Sequence, residues 1–252
     1  MEISFADHVV LVTGGTKGVG RGIAARFADL GATVAVSARN AVADLPGEWA
    51  FEAADLRDGD QAFAMVDRVV ERLGRIDVVI NNAGGAPPAD TSTASPRFTE
   101  RVVALNLLSA IYVAQRANEH MQRGDGGSIV NIGTVSGIRP APTAAAYGAA
   151  KAGLANYTST AGQEWAPRVR VNCITAGLIR TELAEMHYGD HESIARVERT
   201  IPMGRMATPG DIADACVYFA SPLSAYVAGA NLVLHGGGDR PAYLGAAGIL
   251  DA

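Results

Sequence analysis

The sequence predicts an α/β fold, in which a parallel sheet is covered by helices on both faces. Short runs of apolar and β-branched residues alternate with longer segments of helical periodicity along the 252 residues. Parallel strands require a long crossover connection, which is usually a helix, so this alternation favours parallel pairing. Hydrophobic residues make up 48% of the chain, which is enough at this length to bury a large core.

About seven strands are predicted, because that many short apolar runs fit strands buried on both faces of a sheet. Right-handed crossovers between them would give a doubly wound, Rossmann-type parallel sheet. No linker or internal repeat interrupts the pattern, so we predict one domain over residues 1–252. The predicted strands cover residues 8–13, 33–37, 49–53, 76–81, 128–132, 168–174 and 232–234.

The helices are predicted from periodicity and from their end signals. Gly31 and Gly74 each follow a helical segment at the position where a left-handed backbone favours glycine. Asp58 can accept hydrogen bonds from the first amides of the second helix. The predicted helices cover residues 18–30, 58–73, 98–123, 144–165 and 211–220.

Two stretches lack clear periodicity. Residues 84–96 are rich in Ala, Pro, Ser and Thr, and residues 182–206 separate a strand from a helix. In a doubly wound sheet the ligand lies beyond the carboxyl ends of the strands, where both stretches would lie. Long loops of this kind often serve as lids, so we predict a substrate-loop insertion near residues 182–206.

Charge and cysteine content exclude several classes of protein. The net charge is −5, and no long run of one sign occurs, which argues against nucleic acid or an anionic membrane as the main partner. No segment has the length and apolar character of a membrane span or a signal peptide. Cys173 and Cys216 fit two separate buried thiols better than a disulfide. We therefore predict a cytoplasmic protein.

A glycine-rich turn, Thr-Gly-Gly-Thr-Lys-Gly-Val-Gly at residues 13–20, joins the first strand to the first helix. Glycines permit a tight turn and a close approach to a ligand, and the helix N-terminus suits a pyrophosphate. The spacing is T-G-x-x-x-G-x-G, because Ile23 stands where G-x-G-x-x-G requires glycine. Its position between a strand and a helix favours a dinucleotide site over a turn without a ligand.

The second strand suggests which dinucleotide binds. Many sites place an acidic residue at the end of this strand to bind the ribose 2′-hydroxyl, and residues 33–39 contain none. Arg39 and Lys17 could both reach a 2′-phosphate. The sequence therefore favours NADP(H), with NAD as the alternative.

Tyr147 and Lys151 are spaced i, i+4 on a predicted helix, so their side chains share a face. An ordinary tyrosine has a pKa of about 10 and is a poor acid or base at neutral pH. A nearby ammonium favours the phenolate, so we expect Lys151, together with a cationic nicotinamide, to lower the pKa of Tyr147. An isolated pair would more often be a surface pair without a role.

Together these motifs resemble the short-chain dehydrogenase/reductase family over nearly the whole chain. The resemblance implies hydride transfer between NADP(H) and a small-molecule ketone or secondary alcohol, in a homotetramer or homodimer. It also implies that Asp55 binds the adenine, Asn82 to Gly84 line the adenosine ribose, and Ile179 meets the carboxamide. With Lys17 and Arg39, the implied cofactor-binding residues are Gly14, Thr16, Lys17, Gly18, Val19, Gly20, Arg39, Asp55, Leu56, Asn82, Ala83, Gly84, Tyr147, Lys151, Gly177, Ile179 and Thr181.

The catalytic residues implied by the resemblance are Asn106, Thr134, Tyr147 and Lys151. Tyr147 would exchange the proton, and Asn106 would interrupt its helix and support a water that relays protons to Lys151. Thr134 stands where the family usually has serine, and Ser136 is the alternative hydroxyl. We prefer Thr134, because two residues along an extended segment would move the group by about 6–7 Å.

Other departures from the family pattern are few. Ala176 precedes Gly177 where the family usually has proline, and residues 40–48 are short for the usual helix. His187 and His191 have metal-ligand spacing on a helix, but the intervening residues disfavour a helix and no third ligand is evident. An NAD-linked alcohol dehydrogenase is the nearer alternative function. A non-catalytic NADP sensor is disfavoured, since such proteins tend to lose the reactive Tyr or Lys.

Overall fold

The central sheet has seven parallel strands in the order β3-β2-β1-β4-β5-β6-β7. A computed structural model describes residues 3–182, 184–238 and 240–248. All seven predicted strands are confirmed, with differences of a few residues at their ends, and so is the doubly wound Rossmann-type sheet. The strands are β1 (Val9–Thr13), β2 (Thr33–Ala38), β3 (Ala50–Ala53), β4 (Val78–Asn81), β5 (Gly127–Thr134), β6 (Val169–Ala176) and β7 (Asn231–Leu234).

Helices cover both faces of this sheet. Asp58 accepts hydrogen bonds from the backbone amides of Asp60 and Gln61, and Gly74 has a φ of 84°, so both predicted caps of the second helix are confirmed. The longer helices are α1 (Gly18–Asp29), α2 (Gly59–Leu73), α3 (Pro96–Val103), α4 (Ser109–Arg123), α5 (Ala145–Glu164), α7 (His191–Arg199) and α8 (Pro209–Ala220); the short ones are α6 (Ala184–Tyr188) and α9 (Ala242–Ala246).

The predicted helix over residues 98–123 is not continuous. A π-helical turn, Ala104–Leu108, lies between α3 and α4 and contains the fully buried Asn106. π-Helical turns inside longer helices are frequently found at functional sites. The expected interruption at Asn106 is therefore confirmed.

The stretch at residues 182–206 is more regular than predicted, because it contains α6 and α7. Gly189, with a φ of 87°, separates them, and the Asp190 carboxylate accepts a hydrogen bond from the Ser193 amide at the start of α7. Both helices are short, and the small apolar cluster below them includes only a few residues, among them Ile194. Helices this short contain few apolar repeats, so their periodicity in the sequence is weak, and the sequence did not indicate them.

An apolar core layer on each face of the sheet holds the strands whose ends form the candidate site. Val10 and Val12 face α1 and α8, whereas Leu11 and Val79 face α2 and α4. β1 pairs with β2 on one side and with β4 on the other, so the direction of strand succession reverses at β1. A crevice at the carboxyl ends of strands forms at such a switch point.

Two findings bear on the environment of the protein. Cys173 and Cys216 are both buried and free, as predicted. In the part of the chain that the structure describes, no helix combines the length and apolar character needed to cross a bilayer.

Candidate active site

The carboxyl ends of β1 and β4 are tied together by hydrogen bonds. The Thr13 hydroxyl accepts hydrogen bonds from the amides of Asn82 and Ala83, each at 3.0 Å. The Asn82 side-chain amide donates to the Thr13 carbonyl at 2.9 Å. A Cβ on Gly20 would lie 2.5 Å from this same amide nitrogen, so α1 packs too closely on the turn for any larger residue. The glycine-rich turn and the loop after β4 therefore form one rigid floor.

A cavity of about 360 Å³ opens beside this floor. It brings together eight of the predicted cofactor-binding residues. Asn82 and Gly20 do not line the cavity. They hold the glycine-rich turn against the loop after β4. The eight are Gly14, Thr16, Lys17, Arg39, Asp55, Leu56, Ala83 and Gly84.

Arg57 also lines this cavity, and the sequence reasoning missed it. Its Nε donates to both carboxylate oxygens of Asp55, at 2.9 and 3.1 Å, and its Nη2 forms a further ion-pair contact. The hydrogen bonds from Arg57 hold the pKa of Asp55 below its usual value. The signal available in the sequence was the Asp-Leu-Arg spacing after β3, which places both side chains at one strand end.

The residues present fit a nicotinamide dinucleotide. Ser37 lines the cavity, and its buried hydroxyl has no hydrogen-bond partner among the described residues. Lys17 and Arg39 are exposed at the rim, and neither side chain forms an ion pair with another described residue. Buried polar groups normally have partners, so an orphan hydroxyl below unpaired cations suits a polar, anionic ligand.

Lys151 is the buried cation of the candidate site. Only 4% of its surface is exposed, and its ammonium donates to the Ile132 carbonyl at 2.7 Å. A Cβ on Gly84 would lie 3.4 Å from the Lys151 Nζ and 2.7 Å from the Asn106 Oδ1. Gly84 therefore lets the backbone approach both groups. Burial lowers the pKa of Lys151 to about 8.

The Asn106 side chain joins the π-helical turn to the loop after β4. Its Oδ1 accepts from the Gly85 amide at 2.7 Å, and its Nδ2 donates to the carbonyls of Gly85 and Val102 at 3.0 and 2.9 Å. All of its hydrogen-bonding groups thus have protein partners. Its position beside Lys151 agrees with the expected relay, which itself stays a prediction.

Tyr147 behaves differently from the expectation. Burial raises the pKa of its phenol above the usual value, although a hydrogen bond with Thr134 opposes this shift. In the protein by itself Lys151 does not lower this pKa, and the expected combined effect with a cationic nicotinamide stays a prediction. The Lys151 ammonium donates to the Ile132 carbonyl, and burial has also lowered its own pKa. Burial outweighs a cation whose charge is satisfied elsewhere.

The segment after Thr134 is a 3₁₀ turn, Val135–Gly137, and not the extended chain that was assumed. The Thr134 Oγ1 accepts a hydrogen bond from the Ser136 amide at 3.3 Å. The distance argument against Ser136 was therefore wrong. The contact with Tyr147 nonetheless places the Thr134 hydroxyl directly beside the phenol.

The loop after β6 lies beside the glycine-rich turn. The Gly177 amide donates to the Leu234 carbonyl at 2.8 Å, and Ile179 forms a bridge with Ala207. A Cβ on Gly18 would lie 4.0 Å from the Thr181 methyl group. Gly177 and Ile179 are thus anchored to neighbouring segments, whereas Thr181 reaches the start of α1.

Glu182 is a second residue that the sequence reasoning missed. Its Oε1 accepts a hydrogen bond of 2.9 Å from the Gly18 amide, which is the first amide of α1. The structure therefore places a carboxylate at the helix end that was expected to receive a pyrophosphate.

Comparison with known proteins agrees with this geometry. The family model described as enoyl-(acyl carrier protein) reductase matches residues 14–238. An uncharacterized oxidoreductase of Mycobacterium tuberculosis is 36% identical over 92% of each chain. 3β-Hydroxysteroid dehydrogenase 1 of Eggerthella lenta is 33% identical over 90% of this chain and 92% of its own. A solved short-chain type dehydrogenase/reductase of Mycobacterium ulcerans has a TM-score of 0.86 and 29% identity, and covers 94% of each chain.

These matches extend over nearly the whole chain and include the glycine-rich turn and the Tyr147–Lys151 pair. Members of the family use a nicotinamide cofactor and act on small molecules. The chain therefore belongs to the short-chain dehydrogenase/reductase family and is an oxidoreductase that acts on CH–OH or C=O groups.

Proposed function

We propose that this enzyme uses NADP(H) to interconvert a ketone and a secondary alcohol, with Tyr147 as the general acid and base. The observation that carries the proposal is the position of the Thr134 hydroxyl next to the Tyr147 phenol, at the carboxyl end of β5. The Lys151 ammonium and the Asn106 side chain both lie against Gly84, in the loop after β4. A proton donor, a second hydroxyl and a buried cation are the groups that carbonyl reduction requires.

Each group has a distinct task. The Thr134 and Tyr147 hydroxyls would both donate to the substrate carbonyl oxygen, and Tyr147 would release its proton as negative charge develops there. The bound dinucleotide would supply the hydride. Burial keeps the phenol protonated at neutral pH, which is the form needed for reduction. Lys151, one helical turn away, would hold the nicotinamide ribose and favour the phenolate that remains.

The preference for NADP(H) rests on the charges of the cavity. Lys17, Arg39 and Arg57 line it together with one carboxylate, Asp55. A 2′-phosphate would lie between cations, whereas the end of β2 offers no acid for a free ribose 2′-hydroxyl. Comparison of kcat/KM for NADPH and NADH tests this choice, and a preference for NADH would establish the NAD-linked alternative.

A carbonyl-substrate screen that follows NADPH absorbance tests the reaction itself. A cavity of about 280 Å³ reaches Tyr147 and is lined by uncharged residues, among them Phe98 and Val102. We therefore expect uncharged ketones to be turned over better than carboxylated ones of similar size. Tight NADPH binding without turnover of any ketone would favour the non-catalytic sensor.

The donor to the substrate can be identified by two matched variants. Thr134→Ala should lower kcat/KM about tenfold to a hundredfold, because the variant loses the hydroxyl that would donate a hydrogen bond to the negative charge on the substrate oxygen. Ser136→Ala should have a smaller effect, since no hydrogen bond joins Ser136 to Tyr147. Steady-state kinetics on one ketone decide between them. Greater damage from Ser136→Ala would assign the role to Ser136.

Glu182→Gln should tighten dinucleotide binding roughly twofold to fivefold, as expected for one charge at a helix N-terminus. The Glu182 carboxylate and a pyrophosphate compete for the Gly18 amide and for the positive end of α1. A fluorescence titration with NADPH measures the dissociation constant. Glu185→Gln is the matched control, because Glu185 is exposed on the same segment. Weaker binding by Glu182→Gln would show that the carboxylate assists the cofactor instead of competing with it.

The assembly and location are proposals as well. Among the residues that the structure describes, β7 pairs on one side only, with β6, and its Leu232 and Val233 are 38% and 41% exposed. Exposed apolar residues on an edge strand would be covered in a homotetramer or homodimer. Light scattering of the purified enzyme measures this. The two free, buried thiols suit the cytoplasm.

A further inference from the structure

We propose that Arg57 determines cofactor specificity by neutralising Asp55, which leaves Arg39 available for the 2′-phosphate of NADP(H). This inference rests on the proposed NADP(H) dependence. It assigns a positioning role to a residue that the motifs of the chain do not indicate.

Within the described part of the chain, the hydrogen bonds of the Arg57 side chain all go to one residue, Asp55. Its backbone amide donates to the Asp55 Oδ1 at 3.2 Å, and its guanidinium holds both carboxylate oxygens. The two side chains are about equally accessible, with exposed fractions of 31% and 30%, so the pair faces the cavity without being free in solvent. A bidentate arginine–carboxylate pair of this kind has a defined geometry.

The charges around Asp55 explain why this pair matters. Arg39 also favours the ionised form of Asp55, although less than Arg57 does. Arg39 and Asp55 line the same cavity, so Arg39 is the next cation available to that carboxylate. Among the described residues, Arg39 itself makes no hydrogen bond or ion pair through its side chain.

Removal of Arg57 would change two things at once. Asp55 would present an unpaired negative charge inside the cavity, which repels a 2′-phosphate. Arg39 would be drawn toward Asp55 and away from the ligand. Both changes oppose NADPH, and neither opposes NADH, which has a hydroxyl at that position.

The test is Arg57→Gln, with dissociation constants for NADPH and NADH measured by fluorescence titration of the full-length enzyme. We expect NADPH to bind about tenfold more weakly, in the range of a lost charged hydrogen bond, and NADH to bind nearly as before. Arg116→Gln is the matched control. Arg116 pairs with Asp67 between α4 and α2, and its 26% exposure resembles that of Arg57.

A double variant separates the proposed role from a direct contact. If Arg57 acts through Asp55, Asp55→Asn in the Arg57→Gln background should restore the ratio of the NADPH and NADH dissociation constants. If the ratio of the NADPH to the NADH dissociation constant stays as high as in Arg57→Gln alone, Arg57 binds the phosphate directly, and the inference is overturned.

A merely structural role makes a different prediction. Arg57→Gln would then weaken both dinucleotides equally and leave their ratio unchanged, which would also overturn the inference. Failure of the proposed function is distinguishable, because it would appear in the wild-type enzyme as a preference for NADH before any variant is made.

Discussion

Tyr147→Phe is expected to lower kcat by about 10²-fold to 10⁴-fold, the range of a lost general acid, while NADPH binds nearly as in the wild type. The variant removes one hydroxyl from a half-buried ring, and the ring itself can keep its packing. Thr134 would remain to polarise the carbonyl, but the phenol that would donate a proton to the substrate oxygen is gone. Single-turnover kinetics with a reducible ketone measure the chemical step, and a fluorescence titration measures the dissociation constant.

Tyr157→Phe is the control for this experiment. Tyr157 lies on the same helix, α5, and its buried hydroxyl has no partner among the described residues. Removal of an unsatisfied hydroxyl should leave activity unchanged and not reduce stability. If Tyr147→Phe kept wild-type turnover, the proton would have to come from elsewhere, and the assignment would be wrong.

Lys151→Met is expected to have the second largest effect, both on turnover and on the pH dependence of stability. The ammonium is lost from beside Asn106 and Gly84, so turnover should fall by at least about 10²-fold, the lower range for acid–base machinery. Lys151 is one of two lysines in the chain, whereas the other basic residues are arginines. Lysine is the cation whose pKa responds to burial, which suits position 151.

The stability effect follows from the lowered pKa of about 8 for Lys151. Between pH 8 and the ordinary lysine value of 10.5, the unfolded chain binds a proton that the folded protein does not. Stability therefore rises with pH across this window in the wild type. Relative to Lys151→Met, the free energy of unfolding of the wild type should gain up to about 3 kcal/mol there.

Urea unfolding of both proteins at several pH values from 7 to above 10 measures this difference. The comparison with the variant cancels the titration of the tyrosines, which is common to both proteins. A difference that did not change with pH would mean that Lys151 is not desolvated in the folded protein. Lys17→Met, at an exposed lysine, is the control and should show no such pH dependence.

Strands were predictable because burial on both faces leaves a local signal in the sequence. β1 and β4 are nearly continuous runs of apolar residues, and their starts were misplaced by only one or two residues. α6 and α7 were missed, since a helix of one or two turns carries too little periodicity to be recognised. Their position depends on the small cluster around Ile194, whose members come from separate parts of the segment.

In the candidate site, too, local sequence features were predictable and tertiary contacts were not. Tyr147 and Lys151 were identified from their spacing, but the raised pKa of the phenol was not, because burial is a property of the whole fold. Arg57 and Glu182 were missed for a related reason. The Asp55–Arg57 pair needs the end of β3 to face the cavity, and Glu182 meets Gly18 across 164 positions of the chain.

The sequence by itself determined the class of fold, the glycine-rich turn and the residues that can exchange a proton, because periodicity, caps and motif spacing are local properties. Only the tertiary structure decided how those residues are charged and paired. Burial sets the pKa of Lys151, and contacts between distant segments direct Arg57 to Asp55 and Glu182 to the start of α1. Desolvation and Coulomb interactions depend on distances in space, which the order of residues along the chain does not specify.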